Sequence, residues 1–179
     1  MLEMTKGGAL DLKKESGEVC KKIRVGAGWD VAEGKTVDLD LWLIPKGGAP
    51  VYFNNKKIAG AELDGDSLTG DVSENGADEN ISIDADALAH DEYTVMINIY
   101  GAVNKGQFFK DVKRAFIEVE DVETKAKLLN YDISTNGGDN FSLVAGKITK
   151  KDGGLTFTAL EEFSTKDAPT LVTENGGIA

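Results

Sequence analysis

The sequence predicts an all-β protein, an antiparallel β-sandwich of two packed sheets with one short helix and acidic loops gathered at one end. Three observations predict it. The dominant hydrophobic period along the chain is two. Turn-forming residues punctuate that pattern at short intervals. The stretch "LDGDSLTGDVSENGADEN", Leu63 to Asn80, collects carboxylates, glycines and small polar residues with no Lys or Arg between strand-like flanks.

The alternation can be followed strand by strand. "KKIRVGAG" opens the series. In "KTVDLDLWLI", Val37, Leu39, Leu41 and Leu43 share one face, and Asp38, Asp40 and Trp42 share the other. "PVYFNN" is short and aromatic, as strands often are. "ENISID" follows the acidic stretch, and in "YTVMINIY" Tyr93, Val95, Ile97 and Ile99 face one way. "AFIEVE", "LLNYDIS", "SLVAGKIT" and "LTFTAL" complete the set, and Asp152-Gly153 between the last two is a hairpin signal. "PKGGAP", "STNGGDN" and "KKDGG" read as connections. About eight to ten short strands of this kind make a sandwich. The alternation favours antiparallel strands with one wet face over a parallel α/β sheet. The short helix falls in "KGQFFKDVKRAF", where Phe108, Val112 and Ala115 have helical spacing, ahead of a strand at Ile117. Residues 1–163 are expected to form the domain and residues 164–179 a loosely held polar tail. Met1 to Glu3 carry no structural weight in this reading.

The chain has 179 residues, enough for one domain whose core needs no disulfide. Acidic residues outnumber basic ones 31 to 20, for a net charge of −11. That balance argues against nucleic-acid binding, which needs a basic surface. It argues equally against docking on anionic lipid unless a cation bridges. The single cysteine, Cys20, allows no internal disulfide and suits a reducing compartment. No run reaches the length of a membrane span or of a signal-peptide core, so a cytoplasmic protein without direct membrane insertion is expected.

The acidic stretch does not stand alone. Asp38 and Asp40 sit on one strand face, about 6.5 to 7 Å apart by strand rise. Asp30 ends the preceding strand, and Asn54 ends the next one and leads into the acidic loop. A hairpin-like path brings these groups to one end of the sandwich. Carboxylates about 5 Å apart repel by roughly 1 to 3 kcal/mol per pair. A divalent cation reverses that sign. Hard oxygen donors on glycine-rich loops suit Ca²⁺, whereas zinc wants His or Cys, of which the chain has one each. It is not an EF-hand: counting from Asp64, Thr69 stands where glycine is required and Asn75 where glutamate is required. The expected architecture is therefore a sandwich with metal-binding loops at one end.

These residues resemble the TerD-like family of tellurium resistance and bacterial stress response. "TKGGALDL" resembles its Lys-Gly-Gly start, "VGAGWD" its Gly-x-Gly-Trp-Asp signature, and "VDLDLWLI" its Phe-Asp-Leu-Asp strand. "VYFNN" resembles its Phe-Tyr-Asn segment, and "GDSLTGD" with "ADENISID" its acidic loop. "KGQFFKDVKRAFIEV", "LLNYDIS" and "LTFTAL" follow in the family's order. The resemblance implies a β-sandwich holding Ca²⁺, usually two ions, in loops at one end. The ligands it implies are Asp30, Asp38, Asp40, Asn54, Asp66, Asp71, Asp78 and Glu79; Asp64 is added from its position in the loop. The chain departs from the family where Tyr100 and Gly101 replace a His-Asp pair, where Ala77 replaces an aspartate, and where Thr135 to Gly138 replace Glu-Asp-Ala-Ser. One well-formed site and a second that is altered, weaker or absent are expected.

The function implied is a non-catalytic, Ca²⁺-dependent interaction module with a protein partner in a stress-response system. The alternative is a Ca²⁺-dependent membrane- or carbohydrate-binding sandwich; a lipid module would carry basic or apolar loop tips, and this loop has only Leu63, Leu68 and Val72. A metal-assisted hydrolase ranks last, because no nucleophile or base motif is present. His90 in "DALAHDEYT" reads as a structural turn residue, and Trp29 and Trp42 as packing residues.

Overall fold

The computed structural model describes residues 1–65 and 76–179. The strands run β1 (Leu2–Glu3), β2 (Ala9–Asp11), β3 (Lys22–Val31), β4 (Leu39–Pro45), β5 (Lys57–Ile58), β6 (Ala61–Leu63), β7 (Glu79–Asp84) and β8 (Glu92–Ile99). After helix α1 (Ala102–Lys105) come β9 (Val112–Asp121), β10 (Lys127–Ile133), β11 (Ser142–Lys151), β12 (Gly154–Ser164) and helix α2 (Ala168–Glu174). One sheet has the order β1-β10-β9-β3-β7-β6-β5, the other β2-β12-β11-β8-β4. The pairings are antiparallel except β1 with β10. This is the two-sheet sandwich that the period-two pattern predicts.

The inward faces supply the core. Val25, Ala27 and Trp29 of β3 and Ile81 and Ile83 of β7 meet Leu39, Leu41 and Leu43 of β4 and Val95, Ile97 and Ile99 of β8, all buried. Alternation along each strand turns the intervening residues outward. At the β11–β12 hairpin, Asp152 and Gly153 both have positive φ, 52° and 76°, as a type I′ turn requires. The hairpin closes on the Lys151–Gly154 pair.

Several local expectations are corrected. The helix expected across 105–116 is a single turn at Ala102–Lys105 and a 3₁₀ turn at Phe109–Asp111; Val112 already begins β9. Gly106 ends the turn in a left-handed conformation with φ 63°, and Ala115 lies in register with Trp29, so tertiary pairing overrides the helical spacing. "PVYFNN" is not a regular strand but a tight turn, in which Tyr52 and Asn55 pair across an isolated bridge. Leu2 and Glu3, given no weight from sequence, pair with Leu129 and Asn130 as a parallel edge strand.

The largest correction is the C-terminus. The expected loose tail contains α2, with Asp167 as N-cap and a proline in its first turn. Ala168, Leu171 and Val172 are buried against Trp42, Ile44 and Met96 on the outer face of β4 and β8. That outer face is apolar and needs cover, and the tail supplies it. Backbone bonds from Gly47 to Gly176 (2.8 Å) and from Ile178 to Gly48 (2.9 Å) fasten the end. Among the described residues no helix is long and apolar enough to cross a membrane.

Candidate metal centre

The candidate centre forms where β3, β4 and β7 meet at one corner of the sandwich. Gly26 and Gly28 keep the outer side of β3 thin: a side chain at Gly28 would lie 2.2 Å from the Phe116 ring, and one at Gly26 2.4 Å from Ala77. Trp29, next along β3, is buried, and its indole N–H donates to the Val37 carbonyl at 2.9 Å. That bond folds the connection after β3 back, so that Asp38 and Asp40 arrive beside the strand they have just left.

Asp78 and Glu79 enter the same corner from β7. The Asp78 N–H donates to the Ala27 carbonyl at 2.8 Å, and the Asp78 carboxylate accepts from the Trp29 N–H at 2.9 Å. Glu79 continues the inward face of Ile81 and Ile83 and is 2 % exposed. Its carboxylate crosses to the other sheet and accepts from the Leu41 N–H at 2.7 Å. Leu41 follows Asp40, itself only 4 % exposed. The backbone carbonyl of Asp38 accepts from the Tyr100 N–H at 2.9 Å. Hydrogen bonds thus link the β3, β4 and β7 segments that carry Asp30, Asp38, Asp40, Asp78 and Glu79.

Asp64 and Asn54 stand elsewhere. Asp64 is turned to the outer face of the first sheet, where its carboxylate accepts from Ser82 Oγ at 2.7 Å and Arg24 Nε at 3.2 Å. Arg24 also reaches Glu120 at 3.5 Å, so Asp64 belongs to a strand-face charge network. Asn54 is exposed in the turn between Tyr52 and Asn55. Asp30 is half-buried in register with Arg114, whose guanidinium holds Asp132 at 2.8 Å. Asp66 and Asp71 lie outside the described residues. Among the described residues no group of three or more His, Cys, Asp or Glu side chains stands close enough to hold an ion by itself.

Tyr100 and Gly101, which replace the expected His-Asp pair, have a local role. Gly101 has φ 66° and caps α1, a conformation that favours glycine. Tyr100 is half exposed and stands edge-on to Phe53. The rings of Trp42, Tyr52, Phe53 and Tyr100 follow one another beside Asp40, a group that reading Trp42 as simple packing did not reveal. Its signal in the sequence was Trp42 on the outward face with Asp38 and Asp40, followed by the aromatic pair in "PVYFNN".

The fold and this corner define a class: a two-sheet sandwich whose strand ends present buried carboxylates from both sheets. The TerD domain matches residues 1–174, and the chain belongs to that family. Stress response protein SCP2 of Bacillus subtilis (strain 168) is 29 % identical over 185 residues, covering 90 % of this chain and 92 % of that protein. Tellurium resistance protein TerD of Alcaligenes sp is 27 % identical over 173 residues, covering 89 % and 88 %. The crystal structure of a homologue of telluride resistance protein (TerD) from Streptomyces coelicolor A3(2) superposes with a TM-score of 0.67 at 18 % identity, over 89 % of this chain and 99 % of that one. At that identity the likeness is one of fold.

Proposed function

We propose that this chain is a Ca²⁺-binding, non-catalytic stress-response protein of the tellurium-resistance type, acting in the cytoplasm by docking a protein partner. The observation that carries the reading is that two carboxylates of this corner are nearly inaccessible, Asp40 at 4 % and Glu79 at 2 % exposure, the second accepting from the N–H of Leu41, the residue after Asp40. Burying a carboxylate is costly unless its charge is compensated, and a divalent cation compensates two at once. The donor chemistry fits a hard ion. Asp and Glu offer oxygen only, while Cys20 is fully buried and His90 packs on Gly48 and Tyr93.

In this reading Asp38, Asp40, Asp78 and Glu79 hold the ion together with Asp30 and with Asp66 and Asp71 of the acidic loop. Asp64 and Asn54 are left out, the first because Arg24 and Ser82 engage it, the second because it is exposed. The ion neutralises the carboxylates of this corner, and the end of the sandwich that carries it is the surface a partner meets. The names of the relatives, a stress response protein and a tellurium resistance protein, supply the biological setting.

Calorimetry with Ca²⁺ on the chelator-stripped full chain tests the reading. Saturable binding is expected, with affinity weakened at least about tenfold in Asp40→Asn and unchanged in Asp64→Asn. Absence of calcium binding, or equal loss in both variants, overturns it.

A further inference from the structure

We infer that a cavity on the outer face of the second sheet binds a small organic ammonium cation, held by aromatic rings and carboxylates. The cavity has a volume of about 320 Å³ and lies among β4, the turn that follows it, the segment after β8 and the start of α2. That is the small end of the range for ligand sites, which suits a small guest.

Four rings form its aromatic wall. Trp42 and Tyr52 stack at 4.0 Å and 9°. Tyr52 and Phe53 stand at 81° and 5.3 Å, and Phe53 and Tyr100 at 87° and 5.6 Å. Successive perpendicular rings turn their faces in different directions, the arrangement that encloses a guest rather than plates it. The charged groups in the lining are Asp40 and Asp167, and among the described residues that line it there is no Lys or Arg. Hydrogen bonds from Thr170 keep Asp167 in its ionised form. The wall is therefore electron-rich and anionic, in a chain of net charge −11.

A further observation bears on the guest's chemistry. Lys105 Nζ lies 5.2 Å from the centroid of the Tyr100 ring, so the chain itself sets an ammonium against this ring, and a guest's ammonium takes the place of that exposed side chain or meets the ring's other face. A neutral sugar ring would gain nothing from the negative potential of the wall. The inference does not rest on the calcium reading.

The test is a titration of choline into the full chain by calorimetry, once with chelator and once with Ca²⁺. The comparison ligand is 3,3-dimethylbutan-1-ol, which has choline's shape without its charge. Saturable choline binding is expected in at least one of the two buffers, at least about tenfold tighter than the neutral alcohol. Tyr100→Ala, at a half-exposed position that does not support the core, weakens it about tenfold, and Tyr100→Phe retains it. Asp40 belongs to the proposed ion site as well as to this wall, so calcium binding is read in a separate titration and the chelator arm reads the cavity without metal on that carboxylate. No saturable choline binding in either buffer, equal affinity for the neutral alcohol, unaltered affinity in Tyr100→Ala, or loss in Tyr100→Phe each overturns the inference.

Discussion

The carboxylate of Glu79 accepts a 2.7 Å hydrogen bond from the backbone N–H of Leu41, and with it the two sheets are tied together at their acidic corner. Glu79 belongs to β7 of one sheet and Leu41 to β4, an edge strand of the other. An edge strand leaves N–H groups unpaired along one side, and a buried one must find an acceptor. Here the acceptor is a side chain from the opposite layer.

Glu79 is therefore a structural brace whatever ion the corner holds. Glu79→Ala removes the acceptor and leaves a buried N–H unsatisfied, a loss of about 1–3 kcal/mol. Glu79→Gln keeps a carbonyl oxygen at the same reach and exchanges a charge-assisted bond for a neutral one of roughly half the strength. Urea unfolding in the presence of chelator is expected to find the Gln variant more stable than the Ala variant. A Gln variant as unstable as the Ala variant would show that charge, not the hydrogen bond, holds the corner.

The sandwich was legible because its signals are local and repeated. Each strand declares itself by alternation, and Asp152-Gly153 declares its turn by chemistry that only positive φ accommodates. The acidic corner was legible in composition, with Asp40 and Glu79 both among the residues singled out, but their individual surroundings were not. Asp64 sits in the same loop sequence, yet Arg24, forty residues earlier, draws it onto the sheet face. Nothing near Asp64 in the chain announces that partner. The same holds for α2. "APTLVTE" is too short to form a helix on its own propensity, and its existence depends on Trp42, Ile44 and Met96 presenting an apolar face far away in sequence.

That dependence makes the C-terminal helix a tertiary element, and Leu171 one of its buried attachments with Ala168 and Val172. Leu171 is 5 % exposed and packs in the small cluster with Trp42, Ile44 and Met96. Leu171→Ala is expected to cost about 2–5 kcal/mol, the range for emptying a buried leucine site. Thr173→Ala, at an exposed position of the same helix, is expected to stay within about 0.5 kcal/mol. Hydrogen exchange supplies a local readout. The Gly47 and Ile178 amides, bonded to Gly176 and Gly48, should lose protection in Leu171→Ala and keep it in Thr173→Ala. A loose tail would leave both variants like the wild type.

The start of the same helix carries a pH dependence of defined sign. Asp167 accepts hydrogen bonds from Thr170, including one from its N–H at 3.0 Å, and these hold its carboxyl below the ordinary value of 3.8. A carboxyl with a depressed folded-state pKa binds its proton more readily in the unfolded chain. Its contribution is fully present above the unfolded value and is lost as pH falls through the folded one. The asparagine side chain of an Asp167→Asn variant still caps the helix but does not titrate. The stability difference between wild type and Asp167→Asn should therefore be flat from neutral pH down to about pH 5 and then shift against the wild type below about pH 4. Urea unfolding of the two proteins across that range measures it. A difference that stays constant to about pH 3 would mean that the cap bond makes no distinction between the charged and neutral carboxyl.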